Sequence, residues 1–179
     1  MGFNRQRKHV LFYGEDEATS NLAQGFVESR KIDDFRCRVF HEFGHGWRST
    51  VEALGKVKMA KYPLTHLVLV IDFDSRGIEH LEKLRDEIRN SPYKDRVYVL
   101  GAAKDVGQLQ RKLAKETNRY TMSPNAVGCA LADRSTPDGE CLNGVWGWPE
   151  LAHNRDELTR LCLAAKDVIF SEEKHDQVS

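Results

Sequence analysis

A run of five aliphatic residues near the middle of the chain constrains the fold more than any other feature. The run covers residues 67–71 (LVLVI), and the sequence Asp72-Phe73-Asp74 follows it directly. Aliphatic side chains at consecutive positions predict a strand that is buried on both faces, as strands inside parallel sheets are. We therefore expect an α/β fold organised around this strand.

The two aspartates that end the run predict a metal site. Alternate side chains of a strand point to the same face, so Asp72 and Asp74 are expected to point the same way. Two close carboxylates repel each other and are costly to desolvate, and a hard cation such as Mg²⁺ offsets that cost. Open α/β sheets also place their sites at strand carboxyl ends. The alternative is a turn in which Asp74 or Ser75 caps a helix that starts at Gly77.

Strand and helix patterns alternate four times in the first 117 residues. This alternation predicts a parallel sheet with right-handed crossovers, flanked by helices, which forms an α/β core over residues 1–117. The predicted strands cover residues 9–13, 35–43 and 96–100 together with the strand from residue 65, and the predicted helices cover residues 15–30, 47–62, 77–90 and 105–117.

The rest of the chain has a different character. Residues 118–170 are predicted to be a loop-rich extension packed on the same domain, because glycine and proline recur between residues 124 and 149. Residues 125–133 fit either a short helix or a fifth strand. A final helix is expected over residues 150–170, with His153 and Asn154 as capping residues near its start. Residues 171–179 are expected to be a frayed tail.

Charge and hydropathy describe a soluble protein. Basic and acidic residues are equal at 27 each, so no overall field attracts nucleic acid, although a local basic patch is compatible with this balance. The chain has no apolar run of membrane-spanning length, and its basic N-terminus lacks an apolar signal region. We therefore expect a cytoplasmic protein with no membrane partner.

The cysteines are widely spaced, without a C-x-x-C pair, which predicts reduced thiols rather than a disulfide framework. A zinc site would need a subset of them together with a histidine, but the spacing fits no common ligand pattern. The cysteines are Cys37, Cys129, Cys141 and Cys162, and the zinc set considered is Cys129, Cys141, His153 and Cys162.

Three acidic residues follow the first predicted strand. Glu15, Asp16 and Glu17 lie in the first turn of the next helix, where carboxylates complement the helix dipole. The dipole does not explain why the cluster directly follows a buried strand, which is where a parallel sheet places its chemistry. We therefore expect one of these carboxylates to lie near Asp72.

The order of these motifs resembles the Toprim domain, the α/β catalytic module of topoisomerases, primases and overcoming-lysogenization-type nucleases. The segment LFYGEDEATSNLAQGF is similar to the opening of small bacterial Toprim proteins, VLVIDFDSR matches their Asp-x-Asp strand, and VYVLGAAKD resembles the strand after it. The resemblance covers about residues 8–117. It departs from the family at Tyr13, where Toprim proteins have a glutamate before the glycine, whereas Glu17 matches their later acid and Glu15 is an extra carboxylate.

The resemblance implies a Mg²⁺- or Mn²⁺-dependent nuclease, or a nuclease-like subunit. Asp72 and Asp74 would hold the metal ion, which polarises the scissile phosphate and lowers the pKa of a bound water. Glu17, with Glu15 as its substitute, would complete the coordination or act as general acid or base. Lys104 would stabilise the negative charge that develops on the phosphate.

The same resemblance implies DNA or RNA as the partner, contacted by Arg76, His45 and Lys104. Small Toprim proteins are similar to partners of an ATPase in phage-defence or mobile-element systems, so an ATPase partner is implied as well. The sequence leaves homo-oligomerisation open. Because of Tyr13, a catalytically inactive Toprim-like interaction module is the first alternative.

A second alternative comes from the segment His41-Glu42-Phe43-Gly44-His45, which satisfies the H-E-x-x-H pattern of zinc metalloproteases. That pattern binds zinc when both histidines lie on one face of a helix. Here a predicted strand precedes it, and Gly44 and Gly46 each disfavour a helix by about 1 kcal/mol. The metalloprotease therefore ranks below the nuclease.

Overall fold

A computed structural model describes residues 6–72, 77–102, 106–135 and 144–170. None of the helices in these ranges is both long and apolar enough to cross a membrane. The strands are β1 (His9–Gly14), β2 (Cys37–Val39), β3 (Thr65–Asp72) and β4 (Val97–Ala102); the helices are α1 (Glu17–Glu28), α2 (Trp47–Lys56), α3 (Gly77–Arg89), α4 (Val106–Glu116), α5 (Pro124–Asp133) and α6 (Arg155–Ile169), with 3₁₀ turns at Gly144–Gly147 and Ala152–Asn154.

The four strands form one parallel sheet in the order β2-β1-β3-β4. In the central pairs Leu11 lies opposite Leu67, and Leu67 lies opposite Val97. The predicted α/β fold with a parallel sheet flanked by helices is confirmed, and the strand around residues 67–71 is one of its two central strands.

Alternating side chains of the strands enter two separate hydrophobic layers. In the front layer they pack against α1, α4, α5 and α6, and in the back layer against α2 and α3. Residues 67–71 of β3 are buried, and successive residues enter opposite layers, which explains why the run contains no polar residue. Strands β1, β3 and β4 contribute Val10, Phe12, Val68, Val70, Tyr98 and Leu100 to the front layer, and Leu11, Tyr13, Leu67, Leu69, Ile71, Val97 and Val99 to the back layer; β2 contributes Cys37 to the front layer.

The edge of the sheet at β2 differs from the prediction. β2 is only three residues long, whereas residues 35–43 were expected to be extended. α2 ends at Lys56 rather than near residue 62, because Lys58 has a left-handed backbone with φ of 57° that a helix cannot continue through. Residues 124–133 form a helix, capped by the Ser123 side chain on the Ala126 N–H with Pro124 at its start, so the alternative of a fifth strand is wrong.

The extension after residue 117 contributes to the front layer. Leu131 of α5 and Leu158 and Val168 of α6 lie in the same buried cluster as Phe12 and Val70 of the sheet. The final helix begins at Arg155 rather than residue 150, because the preceding residues form a 3₁₀ turn.

The cysteines differ from the prediction at one position. Cys37 is a buried free thiol and Cys129 is a half-buried free thiol. Cys162 is disulfide-bonded, and Cys141 lies outside the described residues. The expectation of four reduced thiols is therefore wrong for Cys162, and the cysteines no longer argue for a reducing compartment.

A buried histidine makes stability depend on pH. His66 of β3 shares a hydrogen bond of 3.1 Å with the Tyr98 hydroxyl, and burial lowers the pKa of His66 to about 4. The unfolded chain therefore takes up a proton between about pH 6.5 and pH 4 that the folded protein excludes, so this contribution to stability is complete above pH 6.5 and is lost as the pH falls. We expect the free energy of unfolding to drop by about 2 kcal/mol across that window, and urea titrations should show a smaller drop for His66→Gln. If the free energy of unfolding of His66→Gln fell with pH as steeply as that of the wild type, His66 would not be the cause of the pH dependence.

Candidate functional site

The strand order identifies a crevice at the carboxyl edge of the sheet. From β1 the chain moves to β2 on one side, and it later returns to β3 on the other side of β1. α1 leaves the end of β1 toward the front layer, and α3 follows β3 in the back layer. The chain thus diverges between the ends of β1 and β3, which is where open α/β sheets bind ligands. Glu15 follows β1 directly, and Asp72 is the last residue of β3.

Glu15 is held across the end of β3. Its backbone N–H donates to the Val70 carbonyl oxygen over 2.9 Å, and its side-chain Oε2 accepts the backbone N–H of Asp72, also over 2.9 Å. The carboxylate is half-buried. Gly14 permits this turn, because a Cβ there would overlap the backbone of Ser20 in the first turns of α1.

Asp72 links the end of β3 to the start of α4. Its Oδ2 lies 3.4 Å from the backbone nitrogen of Val106, the first residue of α4, and the side chain is half-buried. An N–H at a helix start is a favourable donor for a carboxylate. Glu15 and Asp72 therefore both bind backbone N–H groups at the same edge of the sheet, between neighbouring strands.

The other two acids of the cluster have different roles. Asp16 caps α1: its side chain accepts the Thr19 N–H at 2.8 Å, and the Thr19 hydroxyl in turn accepts the Asp16 N–H at 3.0 Å. Glu17 is exposed in the first turn of α1. The sequence assigned the main role to Glu17 and made Glu15 its substitute, but the carboxylate that the structure brings to Asp72 is that of Glu15.

Three of the predicted site residues lie outside the described residues. They are Asp74, Arg76 and Lys104. Within the described ranges no group of three or more histidine, cysteine, aspartate or glutamate side chains is placed to hold a metal ion. Glu15 and Asp72 supply carboxylate oxygens, which are the ligands that Mg²⁺ and Mn²⁺ prefer.

The segment around His45 lies against the end of β1. The Gly44 N–H donates to the Gly14 carbonyl over 2.9 Å, and the Gly46 N–H lies 3.5 Å from the Glu15 carbonyl oxygen. Gly46 has a φ of 99°, a conformation that favours glycine. The exposed His45 therefore belongs to a loop that borders the crevice, where it was predicted to contact nucleic acid.

The H-E-x-x-H segment does not form the helix that a zinc metalloprotease requires. Residues 40–46 are irregular, so His41 and His45 do not share a helical face. Glu42 instead pairs with Lys56 over 3.4 Å and with His41 over 3.5 Å. This geometry gives the metalloprotease alternative no support.

Tyr13 occupies the position at which Toprim proteins have a glutamate. Its side chain is fully buried in the back layer, and its ring centroid lies 5.8 Å from that of Phe40. Tyr13 therefore packs in the core beneath α2.

The sequence did not predict how the start of α6 contacts the edge strand β4. The Asn154 side chain accepts the Gly101 N–H over 3.0 Å and donates to the Gly101 carbonyl over 2.7 Å, while His153 Nε2 lies 2.9 Å from the same oxygen. Two residues earlier in β4, the Val99 N–H donates to the buried Glu157 side chain over 3.1 Å. These side chains satisfy the outer edge of β4 as a further strand would.

Asn154 was predicted to cap α6, and that prediction is right for its position but wrong for its side chain. Asn154 stands at the cap position, but its side chain makes no capping hydrogen bond. Its two bonds to Gly101 use both functions of the amide. The signal in the sequence is the His-Asn pair just before the helix, but nothing local indicates its partner.

No family model, curated protein or solved structure matches this chain. The resemblance to Toprim domains therefore depends on the short motifs alone and stays a prediction. The strand order and the placement of Glu15 and Asp72 are independent of it.

Proposed function

We propose that the chain is a Mg²⁺- or Mn²⁺-dependent phosphodiesterase that acts on nucleic acid. The observation that supports this most directly is the position of Glu15 beside Asp72 at the switch point of the sheet. Two half-buried carboxylates on neighbouring strand ends favour a positive counter-charge at the same edge of the sheet. A divalent ion with oxygen ligands fits that requirement.

In the proposed site Glu15 and Asp72 orient the ion, and Asp74 is the predicted third carboxylate. The hydrogen bond from the Asp72 N–H fixes the Glu15 carboxylate, and Asp72 is fixed by the start of α4. A bound divalent ion would polarise a phosphate oxygen and lower the pKa of a water molecule. His45, which is exposed in the loop that borders the crevice, would contact the substrate.

A catalytically inactive interaction module is the second candidate, because of Tyr13. The residue that would supply the leading carboxylate in a Toprim site is instead a buried tyrosine in the core. If Glu15 does not replace that carboxylate, the crevice keeps its shape but holds the ion weakly. Metal binding and cleavage therefore need to be measured separately.

The test is cleavage of plasmid DNA and of a single-stranded RNA with Mg²⁺ or Mn²⁺, together with calorimetric titration of Mn²⁺. We expect Glu15→Gln and Asp72→Asn each to reduce the cleavage rate at least about tenfold, because each removes a charge that holds the ion. Glu87→Gln, the same change at an exposed position of α3, should cleave like the wild type.

Two outcomes would contradict the proposal. If the wild-type protein binds no Mn²⁺ and cleaves neither polymer, the catalytically inactive interaction module becomes the favoured function. A larger loss for Glu17→Gln than for Glu15→Gln would move the site to the first turn of α1, as the sequence alone suggested.

A further inference from the structure

The outward face of α4 carries a row of basic residues. Arg111 and Lys115 lie on the helix and Arg119 lies in the turn after it; all three are exposed. Arg111 and Lys115 are four residues apart and so lie on one side of the helix, opposite the buried Leu109 and Leu113, and Arg119 follows them in the turn that ends it. From Arg111 to Lys115 the row extends about 6 Å along the helix.

An exposed aromatic residue stands at the end of this row. Tyr120 follows Arg119 directly and is 99% exposed. The turn that carries both is well defined, because Asn118 has a left-handed backbone with φ of 53° and the Arg119 N–H donates to the Ala114 carbonyl over 2.8 Å. We refer to Arg111, Lys115, Arg119 and Tyr120 as the α4 ridge.

The helix dipole explains only part of the ridge. Cations near the end of a helix are favourable, which accounts for Lys115 and Arg119. It does not account for Arg111 in the middle of the helix or for an aromatic ring with no packing role. The exposed residues of α4 include one acid, Glu116, beside these cations, whereas the outward face of α3 carries four acids and two bases, with exposed Glu79, Glu82, Lys83, Asp86, Glu87 and Arg89.

We propose that the α4 ridge binds a single strand of nucleic acid. The basic side chains would contact successive backbone phosphates, and the Tyr120 ring would stack on a base, which only an unpaired strand exposes. This extends the proposed function, on which the choice of a nucleic acid rather than another polyanion rests.

The direction of α4 connects the ridge to the crevice. The helix starts at Val106, whose backbone nitrogen lies 3.4 Å from Asp72 Oδ2, and it runs away from the carboxyl edge toward Arg119. A nucleic-acid strand bound along the α4 ridge would therefore lead to the carboxylates of Glu15 and Asp72. Lys112, on the flank of the ridge, is already engaged by Glu150 at 2.8 Å and by the Trp148 ring, and we do not assign it to the strand.

The test measures binding without cleavage. The full chain is titrated, in EDTA so that no metal-dependent cleavage occurs, against fluorescent oligothymidylate and oligouridylate of about 20 nucleotides, longer than the site of a typical strand-binding fold. A hairpin duplex of the same length is the third ligand. Fluorescence anisotropy gives the affinity at several salt concentrations.

We expect Lys115→Gln/Arg119→Gln to weaken binding of the single strands at least tenfold and to reduce the salt slope by about 1.4, since each phosphate contact contributes about 0.7. Tyr120→Ala should weaken binding about tenfold, and Tyr120→Phe should retain it, because the ring stacks and the hydroxyl does not. Lys83→Gln/Arg89→Gln, with the same charge change on α3, should bind like the wild type.

Each outcome decides the inference. Single strands bound better than the hairpin, with losses confined to the ridge variants, would support it, and the two oligonucleotides distinguish DNA from RNA. No binding, equal losses in the ridge and α3 variants, or an unchanged affinity in Tyr120→Ala would overturn it. Binding through the ridge without cleavage in metal would contradict the proposed phosphodiesterase alone.

Discussion

Replacing Gly128 with valine is expected to lower the free energy of unfolding by more than about 4 kcal/mol, enough to unfold much of the protein at ambient temperature. Gly128 lies in α5 where that helix crosses α1, and a Cβ at this position would overlap the Leu22 carbonyl oxygen of α1. The overlap is with backbone, which no side-chain rotation relieves. The two helices would therefore have to separate and open the front layer.

Gly25 makes the same contact from the other helix, because a Cβ there would overlap the Asn125 carbonyl oxygen of α5. The control is Gly55→Ala at an exposed position of α2, where an added Cβ meets nothing within 4 Å. We expect that variant to be more stable by about 0.5–1 kcal/mol, since alanine favours a helix over glycine. Urea unfolding followed by circular dichroism compares all three proteins. Equal midpoints for Gly128→Val and the wild type would show that α1 and α5 do not pack this closely.

The helix crossing also shows one limit of the sequence. Gly128 contributed to the prediction of a loop-rich segment, because glycine most often marks a turn or a loop. In the structure it lies inside a helix, where it costs about 1 kcal/mol in propensity and permits a close backbone contact in return. A pattern within one segment cannot distinguish these two uses, since the second depends on a helix about 100 residues away.

The sheet was predictable because its signal is local. A strand buried on both faces has no polar position, so residues 67–71 alone indicated the two-layered packing that β3 has. The edge strand β2 carries no such signal: only Cys37–Val39 pairs, and the residues that follow form the loop beside Glu15. The length of β2 is decided by its neighbours and not by its own sequence.

The acidic cluster was predictable as a group, but the role of each carboxylate was not. The cap that Asp16 forms with Thr19 fixes where α1 begins. That start leaves Glu15 in the turn before the helix, from which it reaches Asp72, and it places Glu17 on the exposed first turn. A shift of the cap by one residue would pass each of these roles to the neighbouring residue. The sequence therefore predicted which edge of the sheet carries the acidic cluster, but it did not predict which of the three carboxylates reaches Asp72.

The contact between α6 and β4 leads to the second large effect. Asn154 is 1% exposed and makes two hydrogen bonds with Gly101, the residue next to the end of β4. Asn154→Ala leaves the Gly101 N–H without this acceptor and removes one donor to its carbonyl. Each lost partner costs about 1–3 kcal/mol, so we expect a loss of about 3 kcal/mol in the free energy of unfolding, measured in urea.

The matched control is Asn90→Ala, because the Asn90 side chain also donates to a backbone carbonyl, that of Asp86 over 2.9 Å, but is exposed to water. Its expected loss is below about 0.5 kcal/mol, since water replaces the partner. Hydrogen exchange adds a local readout: the Gly101 amide should exchange faster in Asn154→Ala, while amides in the central strand β3 follow the global stability alone. A loss no larger than that of the control, with an unchanged Gly101 exchange rate relative to β3, would mean that the start of α6 does not hold the edge of the sheet. Because Ala102 at the end of β4 lies opposite Asp72, these two bonds also support the end of β3, where one of the two proposed metal-holding carboxylates lies.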